Sequence, residues 1–244
     1  MTDIPVRSDI SPEVHPGALA RYSEVLNVEG TSGPSAFSLA TGVLTEIYTS
    51  VGAVNDAVQA FEESGAGRQR RLVGGKVTEV TLPSDELITA VEARFNRSAK
   101  AVDTGIAWLR ATAKSLEGTI AEMWDAPTNK TAHANEVRAF ASRQDSALDF
   151  VRSRIEADDR STVAAILLAP PFLSGLTDEQ AKLLKRMAEE RWCPVERRQA
   201  DAVAAMTEHA IRASASLTAA YTKVLAQRDN PKVVASRKIR ELAG

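Results

Sequence analysis

The chain reads as all-α: an elongated bundle of long antiparallel helices with coiled-coil-like seams, plus one small β-hairpin excursion. Three observations predict this class. Apolar residues recur at spacings of three and four along most of the length. Alanine supplies roughly one residue in six, and aromatics only 5%. Alanine has the best helix propensity, and its small side chain lets helix backbones approach closely.

Residues 1–35 are expected to form an extended N-terminal arm that reaches a neighbouring subunit. Pro5, Pro12, Pro16, Gly17, Gly30, Gly33 and Pro34 interrupt any long regular element there, although "ALARYSEVL" suits a short helix. The helical bundle is expected over 36–228, with a β-hairpin at 68–83 and a corner of short helices at 159–193. A short amphipathic helix, 229–244, closes the chain.

The clearest signal is the first long helix. Phe37, Ala40, Leu44, Ile47, Val51, Val54, Val58 and Phe61 alternate spacings of three and four without a slip. That is a heptad seam, which buries a narrow stripe against a partner helix. Ser64, Gly65 and Gly67 end it. Later long helices favour a partner within the chain. A second copy remains the alternative, and it makes Phe37, Leu44, Val51 and Val58 candidate interaction residues. Next, "RQRRLVGGKVTEVTLP" places two β-prone runs around Gly74-Gly75, a two-residue hairpin signal. Arg68, Arg70 and Arg71 would form the charged base of a β-arm touching a neighbour.

Ser84 is the expected N-cap of a second long helix, with Asp85 and Glu86 in its first turn. Its stripe runs through Ile88, Val91, Phe95, Ala99, Val102, Ile106, Leu109, Ala113, Leu116, Ile120 and Met123, ending near Trp124, with Gly118 as a place where it could divide. A third helix is expected over about Thr131 to Ala157, with Val137, Phe140, Leu148, Val151 and Ile155 inward. A last long helix spans Pro194 to Arg228.

Between these lies "TVAAILLAPPFLSGLTDEQ". Val163 to Ala169 is too short to cross a membrane, which takes about twenty residues, and too apolar all round for a surface. Pro170-Pro171 must stop it, because proline lacks an N–H and clashes with the preceding turn. Thr177 with Gln180 forms a capping box for the helix that follows. The segment is therefore a buried short helix and a rigid corner, with Phe172 as a candidate contact residue. This stretch, Thr162 to Arg191, resembles uncharacterised helical proteins of proteobacterial phages and prophages. The resemblance brings no catalytic residues; it implies a phage setting, with a virion or the host cytoplasm as location.

Chemistry is scarce. His15, His133 and His209 are not at helical metal spacing, and no P-loop, G-x-S-x-G or dinucleotide fingerprint occurs. Lone Cys193, between Trp192 and Pro194, reads as an inert thiol. No cofactor or metal is expected. The net charge of -2 gives no global field toward nucleic acid or an anionic membrane, and no signal-peptide apolar region opens the chain. The C-terminal helix carries Lys232, Arg237, Lys238 and Arg240 beside Val233, Val234, Ile239 and Leu242, a pattern that could dock in an acidic groove, with Arg237 and Lys238 as its candidates. The expectation is a non-enzymatic interaction protein: a multicopy virion or assembly component whose partners are other protein subunits, in a homo-oligomer or a larger assembly. The alternative is a small regulatory bundle that sequesters a host or cellular protein.

Overall fold

A computed structural model describes residues 4–28, 31–73, 76–124 and 132–243, with the backbone alone for 69–73, 76–81, 132, 236, 240 and 243. Nine α-helices and one two-stranded antiparallel sheet are present among them. The fold is all-α with a minor hairpin. It is not one bundle, however, but two compact units: Met1–Arg110 with Ala204–Gly244, and Ala111–Val203.

Unit 1 is organised around helix α2, Gly33–Glu63. Its seam is buried from Phe37 through Val54, with Leu44 and Ile47 fully so. Buried in the same unit are Ile88, Val91, Val102 and Leu109 on α3 (Asp85–Met123), and Met206, Leu217 and Tyr221 on α8 (Pro194–Leu225). Among the described residues α2 alone is long and apolar enough to cross a membrane, and 56% of its most apolar window is buried within the fold. Helices α2 and α3 meet closely at Gly105, where a Cβ would lie 2.2 Å from Val43 Cγ2. Ser84 Oγ accepts from Leu87 N at 3.2 Å, capping α3 as its sequence predicts.

The extended arm expected for 1–35 is corrected. Two 3-10 helices, Pro12–Val14 and Pro16–Tyr22, and helix α1, Ser23–Leu26, lie against α2. Ile10, Val14, Leu19 and Leu26 are each at most 5% exposed. Proline and glycine prevent a long helix here, but short 3-10 turns tolerate them, and the four apolar side chains then join the core. Polar clamps fix the segment. Tyr48 Oη accepts from Arg7 N at 2.6 Å and donates to Pro5 O at 3.1 Å. The Arg7 guanidinium holds Asp56 by two hydrogen bonds, at 2.5 and 2.9 Å, and Asp9 by two more.

The hairpin pairs β1, Arg68–Val73, with β2, Lys76–Thr81, from Arg68↔Thr81 to Val73↔Lys76. That register leaves a two-residue connection. Gly74-Gly75 themselves lie outside the described residues. Helix α9, Pro231–Ala243, inserts Val233 but leaves Ile239 and Leu242 exposed.

Unit 2 packs α4 (Ala132–Ala141), α5 (Ala147–Glu156), α6 (Arg160–Leu167) and α7 (Asp178–Trp192) with the end of α3 and the start of α8. The single helix expected over 131–157 is two helices. Ser146 adopts an extended backbone, and its side chain accepts from Asp149 N, so α5 starts afresh there. Phe140 consequently ends up 56% exposed rather than inward. The corner forms where its sequence predicts, but the burial expected for Val163 to Ala169 stops at Ile166: Leu167 and Ala169 are half-buried and Leu168 is 39% exposed. Val163 to Ile166 are buried, Pro171–Ser174 is a 3-10 turn, and Gly175 takes φ +72°, a left-handed geometry that favours glycine. Thr177 and Gln180 make both bonds of the capping box.

Candidate functional site

Of the residues expected to make contacts, most of the seam is taken up inside unit 1. Phe37, Leu44 and Val51 are buried there, as the favoured partner within the chain requires, which corrects only the alternative that made them contacts to a second copy. Val58 is half-buried and lines a cavity. Arg68 is exposed, while the side chains of Arg70 and Arg71 lie outside the described residues. Arg237 donates to Asp85 at 2.9 Å, and Lys238 is exposed. In unit 2, Phe172 projects at 74% exposure beside Leu173.

The internal polar groups of unit 1 form a closed relay. Ser98 Oγ donates to Glu46 Oε1 at 2.7 Å, so it must accept from Ser50 Oγ, 2.7 Å away. Having given its one proton, Ser50 accepts from Tyr221 Oη at 2.6 Å and from Arg94 Nε at 3.2 Å. Ser50 and Ser98 are fully buried. A hydroxyl that no substrate can reach is a structural pin between α2, α3 and α8, not a nucleophile. Burial pushes the Cys193 thiol up, as does nearby Glu189, and its S–H donates to the Glu189 carbonyl at 3.2 Å. It is held as a thiol rather than a reactive thiolate. Among the described residues no three His, Cys, Asp or Glu side chains converge as a metal site would require.

The outward side of α2 and α3 is different. From Gly33 to Asn55, Glu46 is the one charged residue, and it is held by Ser98 and Arg94. A surface helix ordinarily carries charge on its outer face; this one presents Ser38, Gly42, Thr49 and Ala53 there. Between α2 and α3 runs a groove of about 860 Å³, lined by Gly42 and Val43 of α2 and by Ala101, Gly105 and Trp108 of α3. Trp108 is 63% exposed. Arg97 and Lys100 stand on the α3 side, in no ion pair among the described residues. The low charge is confined to α2; on α3 an exposed aromatic stands beside two cations.

Sequence reasoning passed over Trp108, although a signal was present. The α3 stripe uses Ile106 and Leu109, which turns position 108 outward, and α2 lacks lysine and arginine throughout. Comparison with protein-family models, with curated proteins and with solved structures found no match to this chain.

Proposed function

We propose that this chain is a non-enzymatic interaction protein, a multicopy component of a phage particle or of its assembly, whose copies meet through the outer face of α2 and α3. The observation that carries the reading is Trp108 of α3, 63% exposed and lining a groove shared with the charge-poor stretch of α2. Leaving a tryptophan in water is costly, and covering it is among the most effective single contacts an interface can make. The phage setting rests on the resemblance of Thr162 to Arg191. A second reading, a bundle that sequesters one host or cellular protein, is favoured by Arg97 and Lys100, whose charge suits an acidic helix.

Sedimentation of the wild type beside Trp108→Ala tests the proposal. The side chain is outside the core, so the variant should melt at the wild-type temperature. The proposal expects a wild-type oligomer that the substitution weakens by tenfold or more, the effect of a hot spot worth about 2 kcal/mol. A wild type that is always a single chain, but binds one acidic partner through Trp108, moves the assignment to the sequestering protein. A Trp108→Ala protein that self-associates as the wild type does removes this face from the account.

A further inference from the structure

The N-terminal segment is closed on itself by one imidazole. Gly17 N donates to His15 Nδ1 at 3.0 Å, which caps the 3-10 helix Pro16–Tyr22. That ring nitrogen must therefore be bare. A neutral imidazole carries its proton on the other nitrogen, so His15 Nε2 donates to Ile4 O, 2.9 Å away. The ring thus ties Ile4 to Gly17, and between those two ends lie the buried Ile10 and Val14.

The groups around the ring are built for its neutral form. From α2, Tyr48 stands perpendicular to it with centroids 5.0 Å apart, and the Tyr48 hydroxyl is committed to Pro5 O and Arg7 N. From α8, His209 Nε2 reaches the same segment through Glu13 O at 2.6 Å. Arg7 and Asp9 bind each other, and Arg7 binds Asp56 of α2; Glu13 is exposed. Among the described residues no carboxylate pairs with His15.

We infer that His15 is a pH-sensitive latch on the N-terminal segment. Above the histidine range its neutral ring holds Ile4 and Gly17 together. Below that range both ring nitrogens carry protons. Nδ1–H then faces Gly17 N–H across 3.0 Å, donor against donor, and the cap is lost. Residues 4–17 loosen from α2 and uncover Ile10 and Val14. His209 does not act this way, because a protonated ring donates to Glu13 O as a neutral one does.

Hydrogen exchange of the full chain at about pH 7.5 and about pH 5.5, either side of the ordinary histidine value, tests this. Exchange times are scaled for the intrinsic pH dependence of amide exchange. Protection from Arg7 to Ala18 should fall about tenfold at the lower pH, as one hydrogen bond is lost, while α7 of unit 2 keeps its own. His15→Asn supplies an oxygen that accepts from Gly17 N without titrating, at a cap position asparagine suits. Its protection should be the same at both values. His209→Gln keeps a donor for Glu13 O and should loosen in acid as the wild type does. A wild type equally protected at both values overturns the inference. So does a folded His15→Asn chain with the wild-type acid response, or a His209→Gln chain that has lost it.

Discussion

In unit 1, Tyr221, Ser50 and Ser98 pass hydrogen bonds along to the Glu46 carboxylate, joining three helices with neutral hydroxyls. In unit 2 the same task falls to the Arg197 guanidinium, which holds Glu117 at 2.9 Å, Asp201 at 2.7 Å and Glu189 at 3.4 Å, while Arg186 holds Asp201 and Glu190. Arg197 is 12% exposed and Glu189 7%. A hydroxyl relay asks for little desolvation and tolerates the loss of a link. A half-buried charge network does not, because each ion depends on its partners to remain inside. Unit 2 also buries Trp124 Nε1 and Trp192 Nε1 without a hydrogen-bond partner among the described residues, against a relay in unit 1 that satisfies each of its atoms.

The comparison can be broken most severely at the N-terminus of unit 1. Deleting residues 1–28 removes Ile10, Val14, Leu19 and Leu26, each contributing about 1.5–3 kcal/mol by burial. That is only partly offset by the entropy of releasing the segment. The truncated chain should lose cooperative melting of unit 1 by circular dichroism; a wild-type melt would restore the free arm. Next in size, Arg197→Ala should cost unit 2 about 3 kcal/mol, the lower end for a broken buried pair, since Glu117 and Asp201 can turn to water while Glu189, 7% exposed, is left with Lys185 alone at 4.0 Å. Hydrogen exchange should show amides of α7 losing protection while those of α2 keep theirs. Tyr221→Phe, by contrast, should cost unit 1 only about 1 kcal/mol, because Ser50 still has Arg94 and Ser98. A loss as large as that of Arg197→Ala would erase the distinction between hydroxyls and charges.

Acid sharpens the same contrast by the smallest margin. Burial pushes the Asp201 carboxyl up, but hydrogen bonds from Arg186 and Arg197 overcome this and hold it below the ordinary carboxylate range. A folded value below the unfolded one stabilises above about pH 4 and is lost as pH falls through the folded value. Unit 2 should therefore weaken from about pH 4 downward, and Asp201→Asn should flatten that slope. The Arg7 clamp at the N-terminus of unit 1 responds lower still, since the Arg7 hydrogen bonds bring Asp9 down to about 2.

What could be read in advance follows from what a sequence encodes locally. The α2 heptad, the Ser84 cap and the Thr177–Gln180 box are local patterns with local physics, and each forms where its residues place it. The N-terminal segment escaped because Ile10, Val14, Leu19 and Leu26 lie four, five and seven residues apart. That spacing fits no single helix face and acquires meaning only against α2. The break at Ser146 was hidden by continuing apolar periodicity on both sides of it. The candidate site was legible only in negative form, as missing charge on α2 and as Trp108 lying off its stripe. Periodicity says which side of a helix turns inward, but not what covers it. For that reason Phe37, Leu44 and Val51 were open to assignment outside the chain, and the cavity beside Val58 had no signature.

The most direct measurement is light-scattering mass across a concentration series for the wild type and for Gly42→Arg. A Cβ at Gly42 meets nothing within 4 Å, and arginine is the better helix former, so the variant keeps its fold while setting a charge on the bare face of α2. The account predicts a wild-type mass that rises above the 26.2 kDa of one chain and a variant that stays at it with an unchanged melting temperature. A wild type at the one-chain mass throughout, or a variant that assembles as the wild type does, would contradict it.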